Sequence, residues 1–291
     1  MTIPAVVSKV SGSTSTETLI QKIILPGNIQ NGNMLFIAFS LRGQPTITWD
    51  NSTAGVFTNL FSRTEGSLAS VYGYWKIANG TESSATLSIV TSISVGATWA
   101  IFAINNHNSA IEATLTGTST GLTCSPVGLT PTWGSKDVLW ISGLAIPTNT
   151  TVNIAPTGYS STYTVVGIGT SRSLLVTIEK GVSNTISESL AQSSWQTSSI
   201  NNKQLFLIGV QGAASAALSI SSVSTDNRVY SAEADTEVIG TGLSAGVSVT
   251  YKDIACTVLS ASGSTSIKVT FPNFFSNNIK IGAAHEFKVV G

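Results

Sequence analysis

The stretch Gly117-Thr118-Ser119-Thr120-Gly121 has the Gly-x-Ser-x-Gly spacing of a nucleophile elbow. An elbow needs a strand-to-helix turn, with an acid and a histidine following in the chain. No helix signal follows this stretch, and the one downstream histidine, His285, is assigned below to another domain. In a chain so rich in Ser, Thr and Gly the spacing arises by chance. His107, in Asn105-Asn106-His107-Asn108, reads as a solvated loop residue, with no nearby His or Cys to complete a metal site. Glu233, Asp235 and Glu237 alternate, so on a strand they share one face. Calcium could bridge them if backbone carbonyls completed its shell. A charged edge that discourages sheet-to-sheet pairing is the simpler reading. No catalytic residue, cofactor or metal ion is expected, and the chain reads as a non-enzyme.

The six tryptophans invite a different chemistry, stacking against a sugar ring. Trp75, Trp99 and Trp140 lie within apolar strands and are assigned to the core. Trp49, Trp133 and Trp195 stand beside turns or among Ser and Gln, which makes them the candidates for a ligand or interface contact. The group Thr48-Trp49-Asp50-Asn51 could stack on and hydrogen-bond a sugar, and would serve equally well as a hairpin end.

Composition narrows the partners. Of 291 residues only 10% are charged, and 14 basic residues balance 14 acidic ones. Ordinary soluble domains carry roughly 25% charge. There is no electrostatic footprint for nucleic acid or an anionic membrane. Ser and Thr, 80 residues in all, supply the polarity instead. A mean hydropathy of +0.29, with apolar residues in every segment, argues against disorder. Cys124 and Cys256 lie far apart and read as small buried residues rather than a disulfide. The N-terminal residues lack the basic and apolar regions of a secretory signal, so synthesis in a cytoplasm is expected.

The elements that must carry these side chains are strands. Asn33–Ser40 is a nearly continuous apolar run between turn formers, and it reads as a strand buried on both faces at the centre of a sheet. Around it, the sequence predicts strands at Ala5–Val10, Leu19–Leu25, Thr46–Trp49, Phe57–Ser62, Ala69–Ile77, Ala85–Val90 and Ala97–Ile104. Strands of this length, with turns every 8–12 residues, have sandwich spacing. In Ala69–Ile77, Val71, Gly73, Trp75 and Ile77 fall on one face and Tyr72, Tyr74 and Lys76 on the other.

The pattern then returns. Val138–Leu144 answers the central run, with Leu139 matched to Leu35 at an offset of 104, and Ser173–Glu179 and Gln204–Val210 follow in the same order. Two similar halves, about 1–110 and 111–212, are expected to interleave into one jelly-roll β-sandwich over residues 1–212. The small, flexible stretch Gln211–Ala217 marks a boundary, and a second β-sandwich domain is expected over 216–291.

Two stretches resemble known families. The tail, with Val238-Ile239-Gly240-Thr241-Gly242-Leu243, Val247–Tyr251 and Ser266–Pro272, resembles an IPT/TIG-type immunoglobulin-like domain. Its Gly-Thr-Gly turn and strand-ending Pro carry the likeness, and Leu243 stands where that family usually has Phe. The first domain is similar, in pattern and strand order, to jelly-roll modules of tailed-phage virion proteins. The points of likeness are Gly32-Asn33-Met34-Leu35, the Trp-ending Thr46–Trp49, and Tyr72–Glu82 with its Asn-Gly-Thr-Glu turn.

The resemblance implies an all-β virion protein that decorates or cements the capsid. It would sit on the major capsid protein or other virion proteins, and form a homo-oligomer. The alternative is a tail-fibre or receptor-binding module that takes a host surface glycan through Trp49, Trp133 and Trp195. Neither family brings a catalytic residue.

Overall fold

The computed structural model describes residues 2–213 except 15, 51–56, 66–68, 120, 126–127, 147–150, 167–173, 189–194 and 199–202. Beyond 213 it describes the backbone of six strands. The described residues form strands and turns, with no helix among them. Contacts divide the chain into two compact units, Met1–Ala213 and Ala214–Gly291.

In the first unit the strands are β1 (Ala5–Ser13), β2 (Thr18–Ile24), β3 (Met34–Leu41), β4 (Ile47–Asp50), β5 (Thr58–Glu65), β6 (Ala69–Ile77), β7 (Thr86–Val95) and β8 (Ala97–Asn105). They are followed by β9 (His107–Ser119), β10 (Thr123–Cys124), β11 (Lys136–Ile146), β12 (Val152–Ile154), β13 (Ser160–Val166), β14 (Leu174–Thr185), β15 (Trp195–Thr197) and β16 (Lys203–Gly212). The first eight form an inner sheet in the order β1-β8-β3-β6-β5 and an outer sheet in the order β2-β7-β4. The second eight form an inner sheet β9-β16-β11-β14-β13 and an outer sheet β10-β15-β12. Adding eight to every label of the first pair gives the second. The repeat is therefore one of complete tandem units. The expected interleaving is not seen, because among the described residues no strand of either half enters a sheet of the other.

Apolar periodicity explains how the four sheets stack. In β3, Leu35, Ile37, Phe39 and Leu41 face the first outer sheet and meet Ile23, Leu87 and Ile89. The alternate residues Met34, Phe36 and Ala38 face the other way and meet Leu139, Ile141, Phe206 and Ile208 of the second inner sheet. From the far face of that sheet, Leu144, Ile146, Val176 and Leu205 meet Cys124 and Trp195 of the second outer sheet. The result is four layers, with two inner sheets back to back. Strands β3 and β11 lie at the centres of those inner sheets, which is why both read as continuous apolar runs.

The two halves face each other reciprocally. Strand β1 lies against β13, and β5 against β9. Since β9 corresponds to β1 and β13 to β5, this is the pattern of a two-fold interface built within one chain. Lys9 of β1 and Glu179 of β14 close one side of it with an ion pair of 3.1 Å.

Side-chain facing corrects the residue-level repeat. Phe36 pairs with Phe102, and Gly143 pairs with Phe206. Phe102 and Phe206 match at the offset of 104 (206 − 102), so the partner of Phe36 is Gly143, at 107 (143 − 36). Leu35 and Leu139 accordingly face opposite ways, one into its own sandwich and the other into the seam between halves. Counting identities along apolar strands misplaced the match by three residues.

In the second unit the strands are β17 (Ser219–Thr225), β18 (Asp235–Thr241), β19 (Ser248–Tyr251), β20 (Ile254–Ser262), β21 (Ser266–Thr270) and β22 (Phe287–Val290). Their order is β17-β18-β21-β20-β19-β22, all antiparallel. The long strand β20 pairs with β21 through one part and with β19 through another.

Candidate functional site

A groove opens on the first half where β1 hands over to β2. It encloses about 440 Å³ and is lined by Ser13, Thr14, Thr16, Thr18, Ile20, Lys22 and Trp99. The turn that forms its rim is fixed from both sides. Thr14 N–H donates to Ala97 O at 3.0 Å, and the Thr14 hydroxyl accepts from Ala97 N–H at 2.9 Å. The buried Gln21 side chain donates to Thr18 O at 2.8 Å and to Val95 O at 3.1 Å, tying β2 to the far end of β7. The Thr18 hydroxyl accepts from Ile20 N–H at 3.2 Å.

Trp99 is 7% exposed, and its indole lies across Gly12 of the neighbouring strand. A Cβ on Gly12 would come within 2.7 Å of the ring, so any larger residue there would push the indole out of place. The sequence marked Trp99 as core, and most of the ring is. The signal for its remaining edge was Gly12 on a strand otherwise rich in side chains.

Of the three tryptophans expected at a surface, Trp195 is buried, while Trp49 and Trp133 are half-buried and keep part of their surface in solvent. Trp195 is completely buried in the second sandwich, where the three-residue strand β15 lies between β10 and β12. Trp49 stacks on Phe57 with centroids 4.8 Å apart and meets Tyr74 edge-on at 5.1 Å. Trp133 packs against Val138, Trp140 and Leu207. The indole nitrogens of all three are shielded from solvent. Polar neighbours in sequence misled at Trp195, which the short strand β15 turns under the adjacent layer. Trp140 is fully buried, and Trp75 packs against the seam between halves.

His107 begins β9 and is only partly exposed. Its Nε2 lies 2.9 Å from Gly32 O, and its Nδ1 accepts from Ser109 N–H at 3.0 Å. Those partners assign the proton to Nε2. Burial lowers its pKa, against a smaller upward effect of the Gly32 carbonyl, and the ring is neutral in the fold.

Ser119 ends strand β9 in register with Lys203, and the next described element is strand β10 rather than a helix. Cys124 is free, and burial pushes its thiol up to about 11. Asp235 and Glu237 lie on β18, whereas Glu233 and His285 fall outside the described residues. Among the described residues no group of three or more His, Cys, Asp or Glu could hold a metal ion.

One constellation occurs in both halves. Lys76 pairs with Glu82 at 2.7 Å and lies 5.7 Å from the centre of the Phe57 ring. Lys180 pairs with Glu188 at 2.7 Å and lies 4.7 Å from the centre of the Tyr159 ring. Glu82 is fully buried and also accepts the amides of Asn79 and Gly80 at 3.0–3.1 Å. Burial pushes its carboxyl up, but the Lys76 ammonium and the Asn79 amide outweigh this and hold it below the usual range. Such an assembly pins the sixth strand of each half to the connection that follows it. It is a structural clamp, and the Asn-Gly-Thr-Glu turn was its sequence trace.

Compared with protein-family models, curated proteins and solved structures, the chain matches none of them.

Proposed function

We propose that this protein is a non-enzymatic structural component of a tailed-bacteriophage particle, decorating or cementing the head. The observation that carries this reading is the doubled strand plan, two eight-stranded units joined back to back through an apolar seam. Strands one and eight adjacent in one sheet, and two and seven in the other, suit a jelly roll whose fifth strand has moved to the inner sheet. In the C-terminal unit, β17-β18-β21-β20 follows the A-B-E-D order of an immunoglobulin sheet, which supports the IPT/TIG likeness.

The protein would be made in the host cytoplasm and carried on the virion. It would bind the major capsid protein as a homo-oligomer, through shape and apolar contact. Exposed Leu19, Ile20, Ile24, Val90 and Ile93 on and beside the first outer sheet supply apolar area for such contact. Exposed ion pairs are worth about 0–1 kcal/mol and fade with salt. Burial of apolar area is worth about 25 cal/mol per Å² and is not screened. The test is to wash purified particles in rising salt and blot the pellet. Retention in roughly 1 M salt is expected, and release well below it would mean that a few charges hold the protein on.

A further inference from the structure

We infer that the groove at Trp99 is a binding site for an acidic saccharide, a pyranose chain bearing carboxylate groups. This goes beyond the proposed structural role and does not depend on it. Ligand pockets generally span about 300–1,000 Å³. At about 440 Å³ the groove falls in that range, with room for a short oligosaccharide rather than a long one.

Its lining has the right division of labour. Exposed Ile20 and the small uncovered edge of Trp99 offer an apolar patch against which a sugar ring can lie. Ser13, Thr14, Thr16 and Thr18 surround it with hydroxyls. Two of these are already oriented, because the oxygens of Thr14 and Thr18 accept backbone amides and leave their O–H hydrogens free to donate. The groove therefore presents donors and needs a ligand rich in acceptors.

Charge selects among such ligands. Lys22 is exposed at the wall, and among the described lining residues none is a carboxylate, the exposed Glu17 standing in the rim turn beside them. A uronate can add a charge-assisted contact to that ammonium, which a neutral sugar leaves to water. The recess is also held open by rigid parts. Gln21 anchors the rim, and Gly12 lets the indole lie where it does. Little ordering cost is then left for binding.

The test is calorimetric titration of the full chain with trigalacturonate, with neutral galactotriose as the control. Trigalacturonate is expected to bind with a Kd of about 1 mM or tighter. Lys22→Gln and Thr16→Val, both at exposed positions, should each weaken it about three- to tenfold without shifting the melting temperature. Galactotriose should bind at least about tenfold more weakly than the acid, as loss of one charge-assisted contact implies. Absence of heat with trigalacturonate up to about 5 mM would overturn the assignment. So would equal binding of the two sugars, or acid binding that Lys22→Gln leaves unchanged.

Discussion

Phe61 and Phe206 meet ring to ring across the seam between the two halves, with centroids 5.1 Å apart. Each ring also lies over a glycine in register on the next strand, Phe61 on Gly73 and Phe206 on Gly143. A Cβ at either glycine would overlap the ring. Phe36 completes the group, 6.3 Å from Phe61 and 6.1 Å from Phe206. The seam is thus a set of interlocked aromatics for which two glycines make room, and interlocking of this kind tolerates little change of volume.

Gly143→Ala is therefore expected to destabilise the first unit by about 1–3 kcal/mol through overpacking. Phe206→Ala should cost about 3–5 kcal/mol. Because the two residues touch, the double variant should lose less than the sum, as urea unfolding of all three variants will measure. Additive losses would show that the ring does not rest on the glycine.

The strand content of this fold was legible in the sequence, and the matching of its layers was not. All eight strands of the first half stand close to where turn residues and alternation place them. The division of Val71, Trp75 and Ile77 from Tyr72 and Tyr74 is that between the seam and the sandwich core. Strands β9, β10, β12, β13 and β15 were missed; His107, read as a loop residue, begins the Thr-rich β9, and β10, β12 and β15 hold two or three residues each, too few to show a period. Trp195 went astray for the same reason. The Leu35–Leu139 match failed because an inner strand is apolar on both faces, so its pattern carries no information about facing. The groove could not be foreseen, since it depends on Gly12 passing beneath a ring 87 residues away (99 − 12).

The two Lys–Glu clamps should differ in what they contribute. Glu82 is fully buried, whereas the Lys180 and Glu188 side chains keep 22% and 11% exposure. Glu82→Gln removes the buried carboxylate that pairs with half-buried Lys76 and accepts two backbone amides, and should cost about 3 kcal/mol. Glu188→Gln should cost about 1 kcal/mol. Chemical denaturation of the two variants will rank them, and an equal loss would show that burial does not set the difference.

The ion pair between Lys9 and Glu179 has an apolar counterpart. Lys9 pairs with Phe102 and Leu115 with Phe206, while Gly73 pairs with Ala38 and Leu175 with Ala145. The same correspondence places Leu115 and Ile77 on the other side of the pseudo-two-fold axis, both in the seam cluster. Lys9→Leu or Glu179→Ile alone should destabilise by about 1–3 kcal/mol. The double variant, which copies the apolar side, should recover most of that loss. Thermal melts decide it, and a double variant no better than the singles would contradict the pseudo-symmetric reading.

Stability should fall with acid in two stages. His107 has a pKa below its ordinary 6.5, so in the window beneath that value the unfolded chain binds more protons than the fold. Stability is then lost as pH drops below 6.5. Glu82 likewise lies below its ordinary 4.5, and its contribution is lost as pH falls further. Unfolding measured from about pH 7.5 down to about pH 2.5 should show both slopes, as these two shifts require. His107→Gln should flatten the upper one and leave the lower. An upper slope that survives this substitution would assign the transition to another group.

The position of this protein on the particle tests the proposed role in a phage head most directly. Cryo-electron microscopy of purified particles should show, at regular positions on the shell, density that fits the four-layered body of residues 2–213. The protein found only on the tail, or absent from washed particles altogether, would contradict the account.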